Sequence, residues 1–129
     1  MYDKLQIFQV AFGLATHANA RQARISGNVA NADTPGYRAH DLKPFAETYR
    51  AKSAGTAMRS TRDAHRMLSE DTALQMQVID RAGPSAPNGN TVSLETEMMH
   101  ATEVRQAHEM ALSVYQTSLG ILRTSIGRR

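Results

Sequence analysis

Two stretches of the chain carry helical periodicity, and the stretch between them carries little. Over residues 3–31, Leu5, Phe8, Phe12 and Ala15 recur at three- and four-residue steps as one seam. Ile7, Ala11, Leu14 and Ala18 lie beside it, and Ile25 and Val29 resume the apolar face after polar residues 19–24. Gly13 weakens this helix by about 1 kcal/mol relative to alanine. The second segment is stronger. Alternating four- and three-residue steps from Leu94 select Met98, Ala101, Arg105, His108 and Leu112, then Tyr115, Leu119, Leu122 and Ile126. Only Arg105 and His108 break the apolar character of this heptad seam. Ser93 is the candidate N-cap, Glu95 and Glu97 fall in the first turn, and Arg123, Arg128 and Arg129 crowd the far end. Each charge sits where the helix macrodipole favours it. At about 1.5 Å per residue the predicted helix is about 50 Å long. So short a chain cannot cover it, and the seam calls for a partner.

Residues 43–92 read as an irregular middle. The exception is "ALQMQVID" at 73–80, where Leu74, Met76 and Val78 alternate as in a half-buried strand. Residues 81–90, "RAGPSAPNGN", form a turn-rich connection. The middle offers little apolar surface to offset its ordering entropy, so partial disorder is expected in an isolated chain. The predicted fold is mainly α: long N- and C-terminal helices pair as a coiled coil, with an irregular, partly β middle. Its parts are residues 1–42 (helix and corner), 43–92 (middle) and 93–129 (coiled-coil helix), the termini forming one domain. Copies of such a pair, with apolar stripes on its outer faces, tend to associate.

The first helix ends in "SGNVANADTPGYRAHDL", residues 26–42. Asn28 and Asn31 tolerate left-handed backbone and can close a helix, and Asp33 can bond its own backbone. Pro35 followed by Gly36 suits a type II turn at Thr34–Tyr37. Tyr37 then offers a ring that can return to the helix pair. Such a corner ends a helix sharply and aims the chain.

Composition narrows the chemistry. There is no cysteine, which removes disulfides and thiolate ligands, and three Phe with four Tyr cannot fill a large aromatic core. The formal charge of +3 is too mild to argue for an anionic partner. Residues 50–66 are basic, through Arg50, Lys52, Arg59, Arg62 and Arg66, but carry no aromatic for base stacking and read as a solvated loop. Glu97 and His100 have the Glu-x-x-His spacing of carboxylate-bridged metal bundles. The first helix contains no glutamate to complete such a site, so the two read as surface neighbours. Arg105 and His108 could set register or sense pH on the seam, but stems packed along it with heads at its edge is the preferred reading. No phosphate loop, nucleophile elbow or spaced nucleophile–base pair is present. No catalytic, cofactor or metal site is expected, and an enzyme is not. The start of the chain does not read as a cleaved leader, and no run approaches the roughly 18–20 apolar residues of a membrane span.

The corner resembles the N-terminal signature of the bacterial flagellar rod and hook axial proteins, an Asn-x-Ala-Asn run followed by Thr-x-Gly-Tyr. Asn28, Ala30, Asn31, Thr34, Pro35, Gly36 and Tyr37 stand at the matching positions. "RAHDLKPF" after it, "NGNTVSLETEM" at 88–98 and the short length are similar to the short rod members of that family. The resemblance covers residues 1–45 and 86–129, with Val29 where Ile is usual and Ser93 where an acidic cap is common. It implies a structural subunit of the proximal rod of the flagellar basal body, in the periplasmic space, exported without a cleaved signal peptide. The assembly seam would comprise Leu5, Phe8 and Phe12 with the residues from Leu94 to Ile126 selected above. Implied partners are other copies, other rod proteins, the basal adaptor of the rod, the inner-membrane ring and the export gate. Neither nucleic acid nor a small-molecule substrate is implied. The alternatives are another short rod protein, a soluble helical adaptor or a nucleic-acid binder using residues 50–66; the last two have no need of the corner. If residues 50–66 are a solvated loop, replacing Arg59, Arg62 and Arg66 together by Gln leaves swimming unchanged in a motility assay; lost motility would assign the loop a partner.

Overall fold

The computed structural model describes residues 3–54, 76–81 and 83–127, without the side chains of residues 3–5 and 52–54. Leu5, Leu74 and the basic residues from 55 to 66 therefore lie outside the described side chains. The elements, in order, are α1 (Asp3–Ala30), β1 (His40–Leu42), α2 (Phe45–Ala54), β2 (Val78–Asp80) and α3 (Leu94–Ile126).

The long helices begin and end close to where their patterns place them. Ser93 is the N-cap of α3, with φ −112° and ψ 118°, and its side chain accepts from the Thr96 amide. That bond is long, at 3.5 Å, so the cap is weak. Glu95 and Glu97 occupy the first turn and Arg123 the last, complementing the dipole. The Gly127 N–H closes the far end on the Arg123 carbonyl.

α1 and α3 lie antiparallel: Phe8 meets Tyr115 edge-to-face at 5.2 Å near one end, and Asn28 reaches Glu97 near the other. Their contact is made by small residues seven positions apart. Ala11, Ala18 and Ile25 of α1 are buried, as are Val104 and Ala111 of α3. Ser118 and Glu97 continue the α3 series on either side. A seven-residue repeat keeps one stripe turned toward a neighbouring helix, and small side chains let the backbones approach. This row runs one position away from the seam selected by the large residues. Phe12 (73% exposed), Met98 (70%) and Ile126 (79%) point outward, as do Leu94, Leu112 and Tyr115. Phe8, Leu119 and Leu122 are half-buried. The intramolecular interface is thus the small-residue stripe, and the apolar seam remains largely uncovered.

The middle is more regular than its pattern suggests. Phe45–Ala54 is helical, where an irregular segment is predicted. The Pro44 carbonyl accepts from the amides of Glu47 and Thr48, and Phe45 stacks near both His17 and Tyr49 at 5.7 Å. Ala, Glu, Arg and Lys supply helix propensity there, while a single aromatic anchor gives no periodicity to read. β1 and β2 pair antiparallel, with Asp41 opposite Ile79. A two-stranded ribbon is marginal alone. It is held because Ala39, Asp41 and Leu42 are buried. The predicted strand thus lies at the end of residues 73–80, and all three of its residues are exposed.

The corner follows α1 directly. Tyr37 N–H donates to the Thr34 carbonyl at 3.3 Å, and Gly36 has φ +72°, as a type II turn requires. Asn28 and Asn31 do not use the left-handed backbone proposed for them, since no described non-glycine residue has positive φ. Asn28 is inside the helix, and the Asn31 amide donates to the Gly27 carbonyl at 2.8 Å instead. Nothing lies within 4 Å of a Cβ built on Gly36, so substitution there strains the backbone rather than clashing. Gly36→Val should destabilise by roughly 1–3 kcal/mol. Tyr37→Ala should be intermediate, and Pro35→Ala mildest at about 0.4–1 kcal/mol. Urea denaturation of the three variants checks the order.

Candidate functional site

Two polar clusters tie the corner and the ribbon to the helix pair. In the first, residues 88–91 (Asn-Gly-Asn-Thr) close over the corner. Asn90 is 2% exposed. Its amide nitrogen donates to the carbonyls of Asn31 (3.0 Å), Ala32 (2.6 Å) and Thr34 (2.9 Å), and its amide oxygen accepts from the Val92 N–H. One side chain thereby ties together three carbonyls of the turn that follows α1. Gly36 N–H donates to the Asn88 carbonyl at 3.0 Å, Thr91 N–H to the Tyr37 carbonyl at 3.0 Å, and Ala39 N–H to Thr91 Oγ1 at 2.9 Å. Gly89 sits beside Gly36 with φ +81°, a conformation that glycine adopts without strain.

In the second cluster Asn28, fully buried, spends its whole amide. The nitrogen donates to the His40 carbonyl (2.8 Å) and to Glu97 Oε2 (3.1 Å). The oxygen accepts from the His40 N–H (3.0 Å) and, more weakly, from the Tyr37 hydroxyl (3.4 Å). Glu97 also accepts from Arg81 Nη1 at 2.6 Å, and Arg81 Nη2 donates to Asp41 Oδ2 at 2.8 Å. Arg21 of α1 grips the same carboxylate through both Nε (2.9 Å) and Nη2 (3.0 Å). The bidentate geometry suits a guanidinium. The result is a chain of charges and amides running from α1 through the ribbon to α3. Among the described residues no buried side-chain nitrogen or oxygen lacks a partner.

The electrostatics follow from these contacts. Burial alone would raise the Asp41 pKa. Hydrogen bonds from Arg21, the Leu42 amide and Arg81 outweigh burial and lower the pKa from 3.8 to about 2. The bond to Asp41, opposed by burial, raises the Arg21 pKa. At the exposed edge, the His100 hydrogen bond lowers the Glu103 pKa.

Of the corner residues singled out in the sequence, Asn28 is the buried hub, while Ala30, Thr34, Pro35 and Gly36 are exposed and shape the backbone. Glu97 is not a surface neighbour of His100. It is 1% exposed, because Arg81 and Asn28 converge on it. Arg21 and Arg81 carry no sequence signal of their own, since a charge on a helix face or in a loop reads equally well as solvated; Asp41 and Asn90 lie in the family-like stretches, but nothing in those stretches shows what they bind. Arg105 and His108 line an open groove of about 550 Å³ between the helices, and the exposed Arg105 pairs with Glu109 at 3.1 Å. No group of three His, Asp or Glu suited to a metal ion exists among the described residues. No described helix is long and apolar enough to cross a membrane.

Among the described residues the polar clusters are closed, and the helix pair leaves apolar faces uncovered. Residues 9–38, which span most of α1 and the corner, match the family described as flagella basal body rod protein. Over 124 residues the chain is 31% identical to the flagellar basal body rod protein FlgB of Aeromonas hydrophila, covering 92% of this chain and 89% of that protein. The FlgB of Cereibacter sphaeroides is 32% identical over 121 residues (88% of this chain, 92% of that protein). That of Agrobacterium fabrum is 29% identical over 116 residues (88% and 87%). The chain belongs to the FlgB family of flagellar basal body rod proteins, structural subunits rather than enzymes.

A carboxylate held below its usual pKa contributes stability that is complete above 3.8 and is lost as the pH falls toward 2. Asp41→Asn should therefore destabilise the fold at neutral pH by roughly 1–3 kcal/mol, as for a lost charged hydrogen-bond partner. It should also flatten the acid limb. Urea midpoints measured between pH 7 and pH 2 test both.

Proposed function

We propose that this chain is a subunit of the proximal rod of the flagellar basal body, joined to its neighbours in a helical tube by the outer faces of its terminal helices, paired as a coiled coil. The observation that carries the reading is the division of labour between the two helix stripes. The inner stripe of small residues is already buried, while Phe12, Met98, Leu112, Tyr115 and Ile126 remain exposed. Large apolar side chains left exposed along a helix pair in this way mark an interaction surface. Burying each large side chain against a neighbour contributes about 1.5–3 kcal/mol.

The reading explains the unequal ends of the pair. With Phe8 against Tyr115 and α1 starting at Asp3, the last turns of α3 run past the start of α1. Ile121 (57% exposed) and Ile126 project there. A protruding apolar tip that fits a different surface on the next copy makes a heterologous contact, and such contacts generate open helical arrays. Other copies and other rod proteins are the partners proposed for these faces. The basal adaptor, the inner-membrane ring and the export gate are proposed at the base. The site would be the periplasmic rod, reached by export without a cleaved signal peptide.

Leu112 is 44% exposed, so Leu112→Asp should leave the isolated fold unchanged by circular dichroism. A carboxylate buried in an interface without a partner costs several kcal/mol. A strain carrying this variant should therefore export the protein, lack rods in electron micrographs of basal bodies and fail to swim. Normal rods and swimming would remove Leu112 from the interface.

A further inference from the structure

Glu97 lies between α1 and α3 at 1% exposure, yet its one ion pair among the described residues is with neither helix. The pair is with Arg81, the residue after β2, whose own N–H donates to the Ala39 carbonyl and whose second nitrogen binds Asp41 of β1. The other partner of Glu97 is the Asn28 amide, which is fixed by both backbone groups of His40 in β1. Every group that satisfies Glu97 is thus on the ribbon or held by it.

We infer that Arg81 is a lock: α1 and α3 can close over Glu97 only when the β1–β2 ribbon is docked and delivers that guanidinium. Two paired helices usually form first and carry their connection as an appendage. Here that order is disfavoured, because closing the helices without the ribbon buries the Glu97 carboxylate without its direct ion-pair partner and leaves it only the more distant charge of Arg21 on α1, a state costlier than leaving it in water. The stripe that would have to offset it consists of Ala11, Ala18, Ile25, Val104 and Ala111, which together bury little side-chain area. The lock therefore makes helix pairing and docking of the middle a single event, and holds the apolar faces of an undocked chain apart from their paired arrangement.

The absence of cysteine permits a direct test in the full chain. Asn19 and Thr102 are exposed and line the same groove between the helices, so pyrene on Asn19→Cys and Thr102→Cys reports pairing by excimer emission. The labelled parent should give excimer, and Arg81→Met should lose most of it. Adding Glu97→Met to Arg81→Met removes the stranded charge and should restore the signal to near the parent level, which a simple loss of Arg81 packing would not allow. The inference is overturned if the parent gives no excimer, if Arg81→Met retains the parent signal, or if the double variant stays dark. Should Arg81→Met fail to fold at all, recovery in the double variant still decides the matter.

Discussion

A helix interface made of alanine, valine and isoleucine brings two backbones close, and any carboxylate caught within it loses its water. The rest of this structure depends on how that constraint is met at Glu97. The carboxylate takes one hydrogen bond from Asn28 and one from Arg81, and both donors are positioned by the ribbon. Arg81 is in turn anchored by Asp41, and Asp41 by Arg21 of α1. Removing Arg81 leaves Glu97 buried without its ion pair, and losing a member elsewhere takes a bond from a buried partner, which is why such networks specify one arrangement more than they add stability.

The corner and residues 88–91 solve a second problem of the same kind. A helix end leaves carbonyls without partners, and a chain that turns away from it must satisfy them elsewhere. Just beyond that end, Asn90 binds the three carbonyls of Asn31, Ala32 and Thr34 at once, from more than fifty residues away in sequence. The corner and the Asn-Gly-Asn-Thr stretch are complementary faces of one contact. Pro35 and Gly36 shape the backbone so that its amides and carbonyls meet that stretch, while Gly89 lets it approach.

With the inner stripe and the polar clusters satisfied internally, the large apolar side chains of α1 and α3 are released from the fold. In a monomeric domain they would be a defect. In a rod subunit we propose that they are the means of assembly, carried on the packed inner stripe.

The features legible in the sequence are local. Periodicity with capping and dipole charge located α1 and α3 almost to the residue, and Pro35-Gly36 announced its turn, because each signal depends only on neighbouring residues. The family was legible for the same reason: the corner is contiguous. Which helix face turns inward was decided by tertiary structure. The large residues from Leu94 to Ile126 give the stronger pattern, but the residues buried between the helices are Ala11, Ala18, Val104 and Ala111, so the weaker pattern won. The burial of Glu97 was likewise invisible, since a first-turn glutamate reads as solvated until Arg81 and Asn28 arrive from distant segments. α2 escaped notice because Phe45 anchors it through His17, a contact outside its own sequence. Periodicity reports which residues share a face; only packing decides which face is covered.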